Sequence, residues 1–246
     1  MYQMKKVIML IALCMNNFLL GLYGQIYTIS MIKNGSTLLA KCCSLIAGKE
    51  IFHCHTRYSD KGNLAKLIER KGKIIMAIRD PRDRVVSFIE QVRQVFGGPI
   101  RKVPLPNLIT HMLSNYETFQ LKYLSRDITF KMLSDKYKDE VFDWIDYYDP
   151  DMFYLSHFEK LVGPKGGGSQ EEQTDEIMKI ADFMEVALTR DEAEAIGKRL
   201  FGGTVSFRRG TFGHWKRHFT DAQKELFKKD MGHYLIRLGY EKDNNW

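Results

Sequence analysis

Met31-Ile32-Lys33-Asn34-Gly35-Ser36-Thr37-Leu38-Leu39 is the stretch on which the reading of this chain turns. An apolar, β-like run from Gln25 to Ser30 leads into it, and an amphipathic helical pattern leads out. A lysine, a glycine and two hydroxyls at a strand-to-helix turn suit a phosphate. Gly35 lets the backbone come close. The N–H groups and dipole of the helix start favour an anion. Ser36 and Thr37 add hydroxyl donors, Asn34 lies in the same turn, and Lys33 adds a compact positive charge. The common phosphate loop, G-x-x-x-x-G-K-[ST], places its lysine after the glycines. Here the lysine comes first.

Outward from this turn, strand-like and helix-like segments alternate. Ser36 to Ala47 has a helical stripe of Leu38, Cys42, Leu45 and Ile46, with Gly48 as its stop. Ile51 to His55 reads as a short strand and Leu64 to Arg70 as a short helix. Lys73 to Ile78 is nearly all apolar, as a buried parallel strand is. Pro81 then opens a helix with Val85, Val86, Ile89 and Val92 inward. Leu108–Tyr123 and Leu133–Tyr148 read as helices and Met152–Ser156 as a strand. Gly163 to Ser169 reads as a flexible loop. Thr174–Val186 is a further helix, and capping signals at Thr189 and Thr220 start two more. The pattern predicts an α/β fold with three αβα layers and a central, mostly parallel sheet.

The chain has 246 residues, 44% of them hydrophobic, enough for one large α/β domain or two small ones. Its formal charge of +7 is unevenly spread. Arg57 to Lys102 carries 12 basic and 5 acidic residues, and Lys198 to Arg237 carries 10 and 3. Between them, Asp127 to Glu192 carries 7 basic and 17 acidic. Two basic blocks flanking an acidic one fit a site for a multiply charged anion. No helix-turn-helix, zinc-finger or RNA-binding signature accompanies the charge, which argues against nucleic acid.

The four cysteines, Cys14, Cys42, Cys43 and Cys54, have no C-x-x-C spacing and read as free thiols. Residues 1–24 form an apolar N-terminal segment ahead of a domain spanning 25–246. Lys5-Lys6 before the apolar run Val7–Met15 resembles a signal peptide or a short membrane anchor, with membrane association or export the consequence. Asn16-Asn17 weakens a spanning helix. A packed element beside the first strand in a cytoplasmic protein is the alternative. Asn34-Gly35-Ser36 is a glycosylation sequon, and a glycan there would block the anion turn.

Two more segments carry chemistry. In Arg79-Asp80-Pro81-Arg82-Asp83-Arg84-Val85-Val86-Ser87, Arg79 follows the buried strand, at the carboxyl edge where open α/β sheets bind ligands. Its guanidinium and the Ser87 hydroxyl suit a phosphate. The plain alternative is a helix entry with surface ion pairs among Arg82, Asp83 and Arg84. Ser206 to Thr220 holds Arg208-Arg209-Gly210, which can wrap a phosphate, and Phe212 and Trp215, which can pack on a base.

Together these segments resemble the sulfotransferase family, which uses 3′-phosphoadenosine 5′-phosphosulfate as donor; the resemblance runs from about Gln25 to Tyr240. Ile32 to Leu38 is similar to its 5′-phosphosulfate loop P-K-S-G-T-T-W, with Lys33, Gly35, Ser36 and Thr37 matching. Ile32, Asn34 and Leu38 depart from it. Arg79 to Ser87 matches the 3′-phosphate motif R-x-P-[KR]-D-x-x-x-S at every fixed position. Arg208-Arg209-Gly210, Gly213, Trp215-Lys216 and Phe219-Thr220 are similar to R-K-G-x-x-G-x-W-K-x-x-F-T. Phe158-Glu159-Lys160-Leu161-Val162 falls where a Y-E-D-L-V segment is usual, with Phe158 replacing an adenine-contacting tyrosine.

The resemblance implies a P-loop-like fold and transfer of a sulfuryl group to a hydroxyl or amine of a carbohydrate, lipid or small molecule. Lys33 would neutralise charge on the leaving phosphate, and His55, where the family has K-T-H, would take the acceptor proton. Glu90 is the reserve base. No metal is expected, since a His53/His55 pair lacks an evident third ligand. A kinase-like nucleotide-dependent transferase and an inactive nucleotide-binding protein on the same scaffold are the alternatives.

Overall fold

A computed structural model describes residues 26–51, 53–55, 72–113, 137–203, 207 and 209–246. The apolar segment 1–24, the Leu64–Arg70 helix, Arg208 and the stretch 114–136 shared by two expected helices lie outside the described residues.

Four strands, β1 (Ile26–Ser30), β2 (His53–Cys54), β3 (Lys73–Ile78) and β4 (Phe153–His157), form one parallel sheet in the order β2-β1-β3-β4. Period-two alternation makes β3 two-faced. Ile74, Met76 and Ile78 enter one core cluster, and Ile75 and Ala77 the other. Helices α1 (Ser36–Ala47), α6 (Gln170–Phe183) and α7 (Arg190–Leu200) cover the second face. The first face is covered by α2 (Pro81–Phe96), α3 (Leu105–Leu113) and α9 (Asp221–Arg237), with the short α4 (Asp143–Tyr147) and α8 (Trp215–His218) alongside; α5 (Phe158–Leu161) follows β4 directly. This is the expected three-layer α/β architecture.

Local chemistry explains most boundaries. Helix α1 stops at Gly48, whose φ of 64° suits a residue without a Cβ. Its buried stripe is Leu39, Cys42, Cys43 and Ile46; Leu38 and Leu45, expected inside, are only half-buried. Pro81 opens α2, and the Asp80 side chain caps it by accepting from the Arg82 N–H. Complete capping boxes start α7 at Thr189 and α9 at Thr220. Helix α6 begins earlier than expected because Ser169 accepts from the Glu172 N–H. The stretch Val95–Pro106 finishes α2, makes a 3-10 turn at Gly98–Lys102 and enters α3.

The strand order matters for function. From β1 the chain goes to β2 on one side and then returns to β3 on the other, so β1 and β3 bracket a switch point. Crevices of open parallel sheets lie outside the carboxyl ends of the strands at such points. The Lys33 turn follows β1 there, and Arg79 follows β3.

Candidate functional site

The turn after β1 is held in an unusual backbone conformation. Lys33 has φ 76° and Gly35, the N-cap of α1, has φ 88°. A lysine in this region is uncommon, and such outliers cluster at ligand clamps. No side chain caps α1, so Gly35 leaves helix-start donors for another partner. The glycine is also required sterically: a Cβ at Gly35 would lie 2.5 Å from Cδ2 of Phe158. Asn34 is 0% exposed, and neither its amide nitrogen nor its oxygen has a partner among the described residues. Buried amides left unsatisfied cost roughly 1–3 kcal/mol each, so this one is poised for a ligand. Arg84 steadies the turn from α2, its Nε donating to the Ile32 carbonyl at 2.9 Å.

Phe158, at the start of α5, joins that turn to the end of β3. One side of it meets Gly35, and the Arg79 guanidinium sits over its ring, 4.7 Å from the centroid. Arg79 also donates to the Thr211 carbonyl at 2.9 Å, while its Nε is buried without a partner among the described residues. The neighbouring residues lock this corner. Glu159 accepts from the Asp80 N–H at 2.8 Å and from the Tyr240 hydroxyl at 3.0 Å. Burial pushes the Glu159 carboxyl up to about 7, against the pull of the Asp80 N–H.

Arg82, Asp83 and Arg84 are buried, not the surface ion pairs that composition allows. Arg82, 2% exposed, pairs with Asp80 at 2.8 Å and Glu241 at 2.5 Å, and lies against the rings of Trp215 and Trp246. Asp83, 1% exposed, accepts from the Gly213 and Trp215 N–H groups at 2.5 and 2.9 Å. One carboxylate thereby fixes the loop carrying Arg209 and Gly210. Trp215 is buried against Arg82 and Phe219, so it is not free to pack on a base. The Gly163–Ser169 segment, expected as a flexible loop, holds a 3-10 turn at Pro164–Gly166 and is packed on the Arg209 loop: Gly166 accepts from the Phe212 N–H at 3.4 Å, and a Cβ on Gly166 would meet the Gly210 carbonyl at 2.6 Å. Arg209 reaches back to α2 and pairs with Glu90 at 3.0 Å, one turn beyond the half-buried Ser87.

His55 lies just past β2. Its Nδ1 is 2.7 Å from the Ser30 carbonyl, and a carbonyl only accepts, so Nδ1 carries the hydrogen and Nε2 keeps its lone pair. Desolvation lowers its pKa below 6.5; the Ser30 carbonyl and Glu140 oppose this, while Arg84 and Lys33 add to it. Lys33, Arg84, Glu140 and His55 therefore share one electrostatic neighbourhood. His53 stands edge-on to His55, ring centroids 4.7 Å apart. Burial drives its pKa down to about 3, so it supports the His55 ring without adding charge near neutrality.

The structure thus gathers Lys33, Asn34, Gly35, Ser36 and Thr37, Arg79 and Phe158 at one sheet edge. Arg209 and Gly210 join them through the Asp83-anchored loop. Sequence reasoning missed the structural work of Asp83, Arg84, Glu159 and Tyr240. Asp83 occupies a fixed position of the arginine motif, and Glu159 follows Phe158; both were within reach of pattern reading.

The sulfotransferase domain family model matches residues 46–202, a span holding Arg79 to Ser87 and Phe158. Sulfotransferase 6B1 of Danio rerio is 23% identical over 175 residues, 65% of this chain and 51% of that protein. Sulfotransferase 2A1 of Rattus norvegicus is 26% identical over 184 residues, 66% and 56% respectively. The amine sulfotransferase of Oryctolagus cuniculus is 22% identical over 200 residues, 70% and 58%. The chain spans about half the length of the curated relatives it matches. The crystal structure of mouse sulfotransferase SULT7A1 complexed with PAP superposes with a TM-score of 0.59, covering 85% of both chains at 16% identity. Fold and family model agree, and the chain belongs to the sulfotransferase domain family.

Proposed function

We propose that this chain transfers a sulfuryl group from 3′-phosphoadenosine 5′-phosphosulfate to a hydroxyl or amine of a carbohydrate, lipid or small-molecule acceptor. The observation that carries the reading is Phe158 packed between Gly35 and Arg79, which joins a 5′ loop to a 3′-phosphate arginine through one aromatic ring. The residues fit the donor. Asn34 and the Arg79 Nε are buried polar groups without partners among the described residues, and Gly35 lets Phe158 pack directly on the turn. Lys33, Asn34, Ser36 and Thr37 would hold the 5′ end; Arg79, Ser87, Arg208, Arg209 and Gly210 the 3′-phosphate; Phe158 the adenine. The donor, once bound, supplies an activated sulfuryl group.

The protein's own share is positioning and charge. Lys33 neutralises negative charge at the 5′ end. His55 accepts the acceptor proton at Nε2, the nitrogen its Ser30 bond leaves available. Its lowered pKa keeps it neutral and competent at pH 7. The loop and helices from Val95 onward would shape the acceptor side. Residues 1–24 would place the enzyme at a membrane or in an exported pool.

Calorimetric titration with adenosine 3′,5′-bisphosphate tests the donor reading. Micromolar binding is expected, with Arg79→Ala weakening it by about 10–100-fold through loss of charge-assisted bonds. Absence of binding by the unaltered chain at millimolar ligand would refute it.

A further inference from the structure

Glu90 lies on α2 three residues past Ser87, so the two share a helix face. Its carboxylate meets Arg209 at 3.0 Å. This is an unexpected partner for a residue offered to a phosphate. A carboxylate has no proton to donate, so it can only repel a dianionic phosphate placed beside it. The pair is also weakly held: the Arg209 side chain is 56% exposed and that of Glu90 25%. Pairs this open to water contribute little. Phosphate takes arginine through two charge-assisted hydrogen bonds and wins that competition. The rest of the loop does not depend on Glu90. Gly213 and Trp215 are anchored by Asp83, Thr211 by Arg79, and His214 lies between Thr211 and Arg217.

We propose that Glu90 is a displaceable counter-ion for Arg209 that sets how strongly the site prefers a 3′-phosphorylated adenine nucleotide over its 3′-hydroxyl counterpart. In the empty site Arg209 is parked on Glu90. When a 3′-phosphate arrives, Arg209 transfers to it, and Glu90, already part-exposed, turns to water. Glu90 costs affinity at one phosphate position only, and the same exchange in reverse eases departure of the bisphosphate product. This inference rests on the donor reading above.

The test is titration of the full chain with two probes, adenosine 3′,5′-bisphosphate and adenosine 5′-monophosphate. Glu90→Gln is expected to tighten the bisphosphate by about threefold to tenfold, the effect of removing one carboxylate near a screened phosphate. The monophosphate should change by less than about twofold, since its 3′-hydroxyl carries no charge. Arg209→Gln should weaken the bisphosphate, and Glu90→Gln added to it should recover less than Glu90→Gln gives alone. A Glu90→Gln chain with unchanged or weaker bisphosphate affinity overturns the proposal, as does equal tightening of both probes. Should Glu90→Gln fail to fold, Glu90→Asp, whose shorter side chain loosens the pair, is expected to tighten the bisphosphate, and an unchanged affinity overturns the proposal equally. If the unaltered chain binds no bisphosphate, the donor reading fails and this inference with it; binding that Glu90→Gln leaves unchanged defeats this inference alone.

Discussion

At the carboxyl ends of β3 and β4, Asp80, Arg82, Glu159, Tyr240 and Glu241 hold one another through bonds of 2.5–3.0 Å. At the ends of β1 and β2, His55 is held by the Ser30 carbonyl, Lys33 is in a left-handed conformation, and the Asn34 amide is buried without a partner among the described residues. The first corner is locked by these bonds, with the buried Arg79 Nε left over among the described residues. The second keeps hydrogen-bonding capacity in reserve. Under the proposed function the difference becomes a division of labour: one corner would grip the nucleotide and the other would meet the reacting atoms, where preorganised donors matter most.

The sharpest way to break that division is kinetic. Lys33→Ala and His55→Ala should each lower bisphosphate release from the donor, measured over a mixed pool of hydroxyl and amine acceptors, by about 10²–10³-fold, the usual cost of a lost transition-state partner. Nucleotide affinity should change far less. Arg79→Ala should do the reverse, losing affinity first. If Lys33→Ala turns over normally while binding collapses, the β1–β2 corner is a second grip and the division is wrong.

A smaller effect separates the corners by pH. In the β1–β2 corner His53 titrates near 3 instead of 6.5, so the folded state binds fewer protons than the unfolded chain. Its contribution is complete above pH 6.5 and is lost as pH falls. In the other corner Glu159 titrates near 7 instead of 4.5, so the folded state binds more protons. Its contribution is complete below pH 4.5 and is lost as pH rises through 7. Relative to the unaltered chain, His53→Gln should therefore gain thermal stability as pH drops from 6.5, and Glu159→Gln should gain as pH rises from 4.5 to 7. Parallel melting profiles for both variants would remove the distinction.

What could be read from sequence follows the same line. Capping boxes at Thr189 and Thr220 and the buried run of β3 are local signals, and they are where expected. The motifs could be picked out as patterns because each is contiguous. Their locks were not. Arg82 and Asp83 look like solvated charge, yet Glu241 lies 159 residues beyond Arg82 and the Trp215 N–H 132 beyond Asp83. The segment 163–168 reads as flexible because the contacts at Gly163 and Gly166, from Gln173 and Gly210, come later in the chain. The tautomer of His55 was not legible, since the Ser30 carbonyl that decides it belongs to a neighbouring strand.

The smallest predicted effect probes whether the locked corner is one unit. Tyr240→Phe removes only the hydroxyl that donates to Glu159 at 3.0 Å, keeping the ring that packs on His157. A single hydrogen bond of this kind contributes about 0.5–1.5 kcal/mol net. The variant should melt a few degrees lower. If the corner acts as a unit, the loss is also felt at Arg79, because Glu159 holds the Asp80 N–H directly after it. Bisphosphate affinity should then fall by about twofold, roughly half of one such bond. Lower stability with unchanged affinity would show that Glu159 grips Asp80 without help from the C-terminal segment, and that Arg79 owes its placement to Phe158 and Thr211 instead.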